Sequence, residues 1–450
     1  MLTRLAKWTT IGALAVIALA VIANAFDEDV HPEVKAYLDA RPRAVAEARN
    51  GYFQMVGLDA QGEEPHAAGR RHVAALMSAE ARAPGAKRPQ TEQPEMKSMP
   101  LPRGKGTARL CAGPESEPCI SKVHADEAAA RKLVADHALL VERYRALLEY
   151  PAYVETYRPR HYNAPIGRFD PVMSAQQLFH VQAALRLRKG KALQVAYDLE
   201  RSLAFGRRML AGSTTLIGKM LAAAHARRTA QFVSEALPFV ARADPKTLSR
   251  LADALAPLSS EEHSFAQVYR TELAMFASIA RICRDRQAEA DAWGAFHCYF
   301  FQPNATLNRQ YFTIHKVLIA MGEAPAQRFD VLARELEDAS ESFPCWSILY
   351  NPTGKVLVGG RTMHAKYVAR VHDVDALFRV VALQAMIGER ELKGDEVPAF
   401  LAGNVKRYGD PYSGKAMGWD AARRQLFFQP RGTPGLMDVG GVEKRFSAGL

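Results

Sequence analysis

The chain has 450 residues, of which 48% are hydrophobic and 24% charged, with 59 Lys and Arg against 48 Asp and Glu for a formal net charge of +11. That balance excludes a largely disordered or collagen-like chain, and the length allows a sizeable core in two or three domains. Five cysteines are too few for a disulfide-dense scaffold. The charge is concentrated. Residues 181–250 hold 13 bases against 4 acids, residues 1–26 hold Arg4 and Lys7 without an acid, and the remainder is neutral.

Arg4 and Lys7 precede an apolar run from Trp8 to Phe26, interrupted by Thr9 and Thr10, after which Asp27, Glu28 and Asp29 turn the chain acidic. Positive charge ahead of about 18–20 apolar residues fits a transmembrane anchor or a signal peptide. Run length favours retention of residues 1–26 as an anchor, while Ala23-Asn24-Ala25 has the small-x-small form of a cleavage site. Either outcome places the bulk of the chain outside the cytoplasm. It would be periplasmic on a single-pass bacterial inner-membrane anchor, or secreted or periplasmic after cleavage near Ala25.

Residues 27–125 read as an irregular N-terminal region. An amphipathic helix over 27–50 puts Val34, Tyr37 and Leu38 on one side, Gly51 to Leu58 reads as extended, and residues 83–106 form a Pro-, Lys- and Gly-rich linker. Cys111 and Cys119 bracket a Gly/Pro turn and, in an oxidising compartment, are placed to close a small disulfide loop. Cys283, Cys298 and Cys345 can supply one further pair.

From 126 to 405 the pattern is helical almost throughout. A charged helix over 126–150 is followed by two antiparallel helices, 174–188 and 191–211, joined across Lys189-Gly190. The second has Val195, Leu199, Leu203 and Leu210 on one face and Arg201 and Arg208 on the other. Another helix runs from Thr214 to about Glu235, with Pro238 expected to bend or end it. Helices follow at 245–256, 259–284, 305–321, 325–339 and 361–388. The expected fold is mainly α, a helical bundle or stacked helical hairpins that are TPR-like at most loosely. Residues 406–450 are richer in Gly and Pro, and the strand pattern at Gln425-Leu426-Phe427-Phe428-Gln429 implies a short C-terminal β-hairpin.

The chemical motifs are near-misses. Gly212 to Met220 resembles a phosphate-binding loop, but five residues separate its glycines where the motif has four, and Met220 replaces the magnesium-binding hydroxyl. Ser213 or Thr214 capping a helix accounts for the segment. The Asn351 to Lys355 segment lacks the upstream glycine, so no nucleotide site is read. Glu261-Glu262-His263 lacks a second histidine, and His364 and His372 lie roughly 80° apart on a helix. His297 beside Cys298 has the right donors without a partner pair, so no metal or cofactor is expected. No G-x-S-x-G elbow is present, and Cys345 with His315 or His364 is too common a constellation to imply a hydrolase. Glu335 and Asp338 read as solvated charge. Glu272 lies in a more apolar helix, as an acid paired with arginine or a catalytic acid.

Trp293, Phe296, Tyr299, Phe300, Phe301, Tyr311 and Phe312 cluster around Pro303 and Asn304. They either pin a loop to the helical core or form a carbohydrate or lipid platform. Asn304-Ala305-Thr306 matches a glycosylation acceptor. Arg201, Arg207, Arg208, Arg227 and Arg228 mark the basic stretch, which reads as a solvated face or an anionic-lipid surface. Nucleic acid is not expected, because no aromatic interleaving accompanies the bases.

Asp410-Pro411-Tyr412-Ser413-Gly414-Lys415-Ala416-Met417, then Leu426-Phe427-Phe428 and Asp438-Val439-Gly440-Gly441, resembles the ending of a broad group of uncharacterised bacterial envelope proteins. Their tail reads approximately D-P-[FY]-S-G-K-P-L, a short aromatic strand, then D-x-G-G. Tyr350 to Leu357 and the helix from Arg361 are also similar to that group. The resemblance covers residues 345–450 and, more loosely, 126–340. Here Ala416-Met417 replaces the usual Pro-Leu, and the strand lacks the common Tyr-Ser-x-Gly sequence. The resemblance implies a membrane-anchored or exported, mainly helical chain and no particular activity. Physically, Asp410, Pro411, Ser413 and Gly414 read as a turn, with Lys415 pairing Asp410 or Asp438 across it.

These readings converge on a non-catalytic envelope protein, a membrane-anchored helical scaffold or binding module. Its expected partner is the membrane together with an envelope protein or anionic lipid; the sequence leaves the oligomeric state open. The alternatives are an envelope hydrolase acting on glycan, lipid or peptide, and an anionic-lipid-binding protein.

Overall fold

The computed structural model describes residues 2–41, 43–82, 96–102, 110–111, 118–161, 164–165, 167–286, 297–341, 349–358, 363–432 and 446–449. Its architecture is mainly α, with a small antiparallel sheet near the C-terminus. Helix α1 (Leu2–Ala23) carries Arg4 and Lys7 near its start and an apolar run after them, and none of its stretch Ala6–Ala23 is buried. Those 18 residues span about 27 Å at 1.5 Å per residue, long and apolar enough to cross a membrane or to serve as a signal sequence. The hydroxyls of Thr9 and Thr10 both donate to the Ala6 carbonyl, so neither polar group interrupts the helix.

Of the helix expected over 27–50, only α2 (Pro32–Asp39) and a 3₁₀ turn at Glu47–Arg49 form. The segment expected to be extended is helix α3 (Gly51–Val56), capped by Asn50, whose side chain accepts from the Tyr52 N–H. It packs tightly on α4 (Pro65–Arg82). A Cβ on Gly57 would overlap the Pro65 carbonyl, and one on Gly69 would overlap the Phe53 carbonyl. Tertiary burial of Tyr52, Phe53, Met55 and Val56 overrides the local β-like composition. The linker residues 83–95 and 103–106 lie outside the described residues.

The 126–150 helix divides at His137 into α6 (Glu127–Asp136) and α7 (Ala138–Leu148), preceded by α5 (Cys119–Ala125). Helices α8 (Asp170–Arg188) and α9 (Ala192–Gly212) turn at Gly190, whose φ of +72° suits glycine. The face of α9 carrying Val195, Leu199, Leu203 and Leu210 is fully buried. Helix α10 (Leu216–Ala243) continues past Glu235 and through Pro238 rather than ending there. Proline removes the donor for the Ser234 carbonyl, and the Gln384 side-chain amide supplies one from a neighbouring helix at 3.5 Å.

Helices α11 (Lys246–Ala254), α12 (Ser260–His263) and α13 (Ala266–Arg286) follow. Helix α14 (Pro303–Gln310) continues through a π-helical turn, Tyr311–His315, into α15 (Lys316–Glu323). Then come α16 (Phe329–Glu341), α17 (Pro352–Val358) and α18 (Met363–Glu389). Helix α18 lies against α10 and α11 at the centre of a contiguous apolar core reaching from Val34 to Phe428. After α19 (Val397–Gly403) and α20 (Val405–Tyr408), strands β1 (Gly418–Asp420), β2 (Gln425–Phe428) and β3 (Phe446–Gly449) form an antiparallel sheet in that order. Leu426 and Phe428 point into the core.

Candidate functional site at the exit of the first helix

Beyond α1, the chain is stitched to the body by side chains from both sides. Asn24 is buried. Its amide donates to the Leu349 carbonyl at 2.6 Å, its Oδ1 accepts from the Asn351 N–H at 2.8 Å, and its backbone carbonyl accepts from Gln302 at 2.7 Å. Asp27 caps α14 by accepting from the Asn304 and Ala305 N–H groups. Asn308 donates to the Glu28 carboxylate and the Asp29 carbonyl, and its own oxygen accepts from the His31 N–H. Glu33 then takes both the Tyr311 hydroxyl and the Lys316 ammonium, which hold its carboxyl below the usual range.

Asn351 organises the opposite side. Its φ of +51° is a conformation asparagine tolerates, and its Oδ1 accepts from Gly354 N–H, capping α17, and from Gln302 N–H. Its amide donates to the Thr306 hydroxyl at 2.8 Å. Gly354 is required here because a Cβ would overlap that hydroxyl and Asn351 itself.

Between these walls lies an open cleft of about 580 Å³. Glu28, Asp29 and His31 line it from the stem; Arg309 and Phe312 line it from α14 and the π-helical turn; Tyr350 and Lys355 complete it. The His31 ring meets Phe312 edge to face, and the Lys355 ammonium donates to the Tyr350 carbonyl at 2.6 Å. A π-helical turn is an uncommon irregularity that accumulates at functional sites. Sequence reasoning misses the lining residues. The signals for them are the acidic run after the apolar segment and the Tyr350 to Lys355 segment, which reads from sequence only as a failed nucleotide loop.

The residues singled out from sequence fall elsewhere. Cys111 and Cys119 form a disulfide with Cα atoms 4.9 Å apart. Cys298 is also disulfide-bonded, its partner outside the described side chains; Cys345, Trp293 and Phe296 lie outside the described residues. Of the basic stretch, the five arginines singled out are half-buried, while Arg188, Lys189, Lys191, Arg242, Lys246 and Arg250 are exposed. Arg201 pairs with Glu149, and Arg207 with Glu262 and the carbonyls of Ala256 and Pro257. Arg208 donates to the Leu148 carbonyl, and burial pulls the Arg228 guanidinium down to about 10. Arg227 also has partners within the fold.

Glu272 is half-buried on α13 beside Tyr269 and does not line the cleft. In the C-terminal motif the Asp410 carboxylate accepts from Tyr412 N–H and the Ser413 hydroxyl from Lys415 N–H. Lys415 meets Asp410 through its backbone carbonyl; Asp438 lies outside the described residues. The Tyr412 hydroxyl latches the turn onto α18 through Asp373 and the Ala369 carbonyl. Asn304 donates its amide to the Glu28 carbonyl and Thr306 is fully buried, which argues against glycosylation of that acceptor.

The near-miss loop has an internal explanation. The buried carboxylate of Glu155 sits at the start of α10, accepting from Thr214 N–H, Thr215 N–H and the Thr215 hydroxyl at 2.7–2.9 Å. Burial raises its pKa, and those bonds oppose the rise. Thr215, rather than Ser213 or Thr214, caps the helix. Lys219 turns away to three carbonyls, those of Leu210, Glu262 and Ser264, and burial draws its pKa down to about 7. A phosphate would have to displace the chain's own anion. Among the described residues, no group of three or more His, Cys, Asp or Glu is placed to hold a metal ion. No known protein family, curated protein or solved structure matches the chain.

Proposed function

We propose that the protein is a membrane-anchored helical binding module of the bacterial cell envelope, in which α1 is a retained single inner-membrane span and the body is periplasmic. Arg4 and Lys7 before the span and Asp27 to Asp29 after it suit that orientation. The likeness of residues 345–450 to envelope proteins supports the same assignment. The observation that carries retention is the burial of Asn24. Cleavage after Ala25 would remove Asn24 and strip partners from Leu349, Asn351 and Gln302 inside the fold. A buried group left without a partner costs about 1–3 kcal/mol, which supports retention of the anchor.

Intact mass and N-terminal sequencing of the native protein test this reading. A carbonate-resistant membrane protein beginning at or next to Met1 is expected. A soluble periplasmic chain beginning at Phe26 would overturn it. The hydrolase reading draws less support: Glu28 and Asp29 are exposed at the cleft, whereas a catalytic pair needs one carboxyl in a buried, apolar setting.

A further inference from the structure

The cleft beside the anchor has two walls of opposite charge. Glu28 and Asp29, both exposed, come from the stem; Arg309 and Lys355, both half-buried, come from the facing helices. The two cations are near enough that, after burial, the Arg309 charge is what holds the Lys355 ammonium below its usual pKa. Like charges held together in a half-buried wall favour an anion between them, and the carboxylates opposite favour a cation. Tyr350 and Phe312 add apolar surface between the two. A ligand that satisfies the whole cleft carries both a negative and a positive group.

Its location selects among such ligands. The Tyr299 hydroxyl donates to the Val21 carbonyl at 2.9 Å, so the body touches the last turn of the apolar span. Tyr299 and Phe26 are both exposed at this level, where aromatic side chains favour the membrane–water boundary. Glu28 follows Ala23 by five residues and lies at most about 17 Å beyond it. With α1 retained in the membrane, on which this inference rests, the cleft lies within reach of the lipid headgroups.

We propose that the cleft binds the headgroup of a phosphoethanolamine phospholipid, its phosphate against Arg309 and Lys355 and its ammonium against Glu28 and Asp29. A choline headgroup offers the carboxylates no N–H donor, and a glycerol headgroup offers them no cation. The cleft therefore discriminates by the amine and holds by the phosphate.

The test uses the full-length protein in detergent, with retention of phosphatidylethanolamine, phosphatidylcholine and phosphatidylglycerol measured by native mass spectrometry. Phosphatidylethanolamine is expected to bind about tenfold tighter than the other two. Glu28→Gln with Asp29→Asn should bring it to the level of phosphatidylcholine without weakening phosphatidylglycerol. The introduced glutamine amide keeps an acceptor oxygen for Asn308, so the stem stays docked. Arg309→Gln with Lys355→Gln should weaken all three; if that variant fails to fold, the stem variant, which alters two exposed side chains, carries the test. Equal retention of the three lipids, an unchanged preference in the stem variant, or equally tight binding of water-soluble phosphoethanolamine would overturn the proposal. An intact, membrane-bound chain without headgroup preference defeats this inference alone. A chain cleaved at Ala25 defeats the anchored reading beneath it.

Discussion

Replacing Asn24 by alanine is the most direct probe of how the anchor is joined to the body. Besides donating to the Ala20 carbonyl of α1, the side chain has two partners in the body: the N–H of Asn351, a residue only 2% exposed, and the carbonyl of half-buried Leu349. Truncation orphans both, while the bond from Gln302 to the Asn24 backbone carbonyl survives. A buried unsatisfied N–H costs about 1–3 kcal/mol, and a carbonyl with some access to water costs less, giving about 2–3 kcal/mol together. Because Asn351 also caps α17 and binds Thr306, that loss falls locally on residues 349–355. Hydrogen exchange read by mass spectrometry on the detergent-solubilised chain should show protection there falling by a factor of about 30 to 150. Ala25→Ser, at an exposed neighbour, should change nothing. Protection in Asn24→Ala within threefold of the wild type would refute the claim that the stem is part of the fold.

Two further outcomes follow from the described geometry. Burial raises the Asp373 carboxyl to about 6, so between roughly pH 4 and 6 the folded state binds the proton that the unfolded state has released. Its contribution, about 3 kcal/mol at most, is full below pH 4 and lost as pH rises through 6; urea midpoints should fall across that window in the wild type and stay flatter in Asp373→Asn. Opening the Cys111–Cys119 bond, eight residues apart in sequence, frees a short loop and should cost about 2–3 kcal/mol, seen as a lower melting temperature for the double serine variant than for the wild type without reducing agent.

The helical body was legible because its period is simple. The α9 face of Val195, Leu199, Leu203 and Leu210 follows from spacing alone, as does the turn at Gly190. What failed were places where a distant residue decides the local outcome. Pro238 reads as a stop until Gln384 is known to serve the carbonyl it deprives. Gly51 to Leu58 reads as a strand until α4 closes over it. The C-terminal turn was readable because its Asp and Ser oxygens serve N–H groups two residues on. The candidate cleft was not, since its walls come from residues nearly 300 positions apart, and no spacing rule joins Glu28 to Arg309.

The same limit governs the net charge. Counting bases along 181–250 treats every arginine as surface, yet a guanidinium has five donors and can be absorbed by carbonyls at helix ends as readily as by solvent. Arg207 and Arg208 reach the carbonyls of Ala256, Pro257 and Leu148, and Arg201 and Arg207 take Glu149 and Glu262. These bases tie helices together instead of projecting a field. A net charge of +11 therefore does not say which of these bases face solvent. At the cleft Arg309 and Lys355 oppose Glu28 and Asp29, and the formal sum is zero. A site of that kind is invisible to any tally of charge and favours a zwitterion over a polyanion, which is why the headgroup's amine, rather than membrane surface potential, is the quantity to vary.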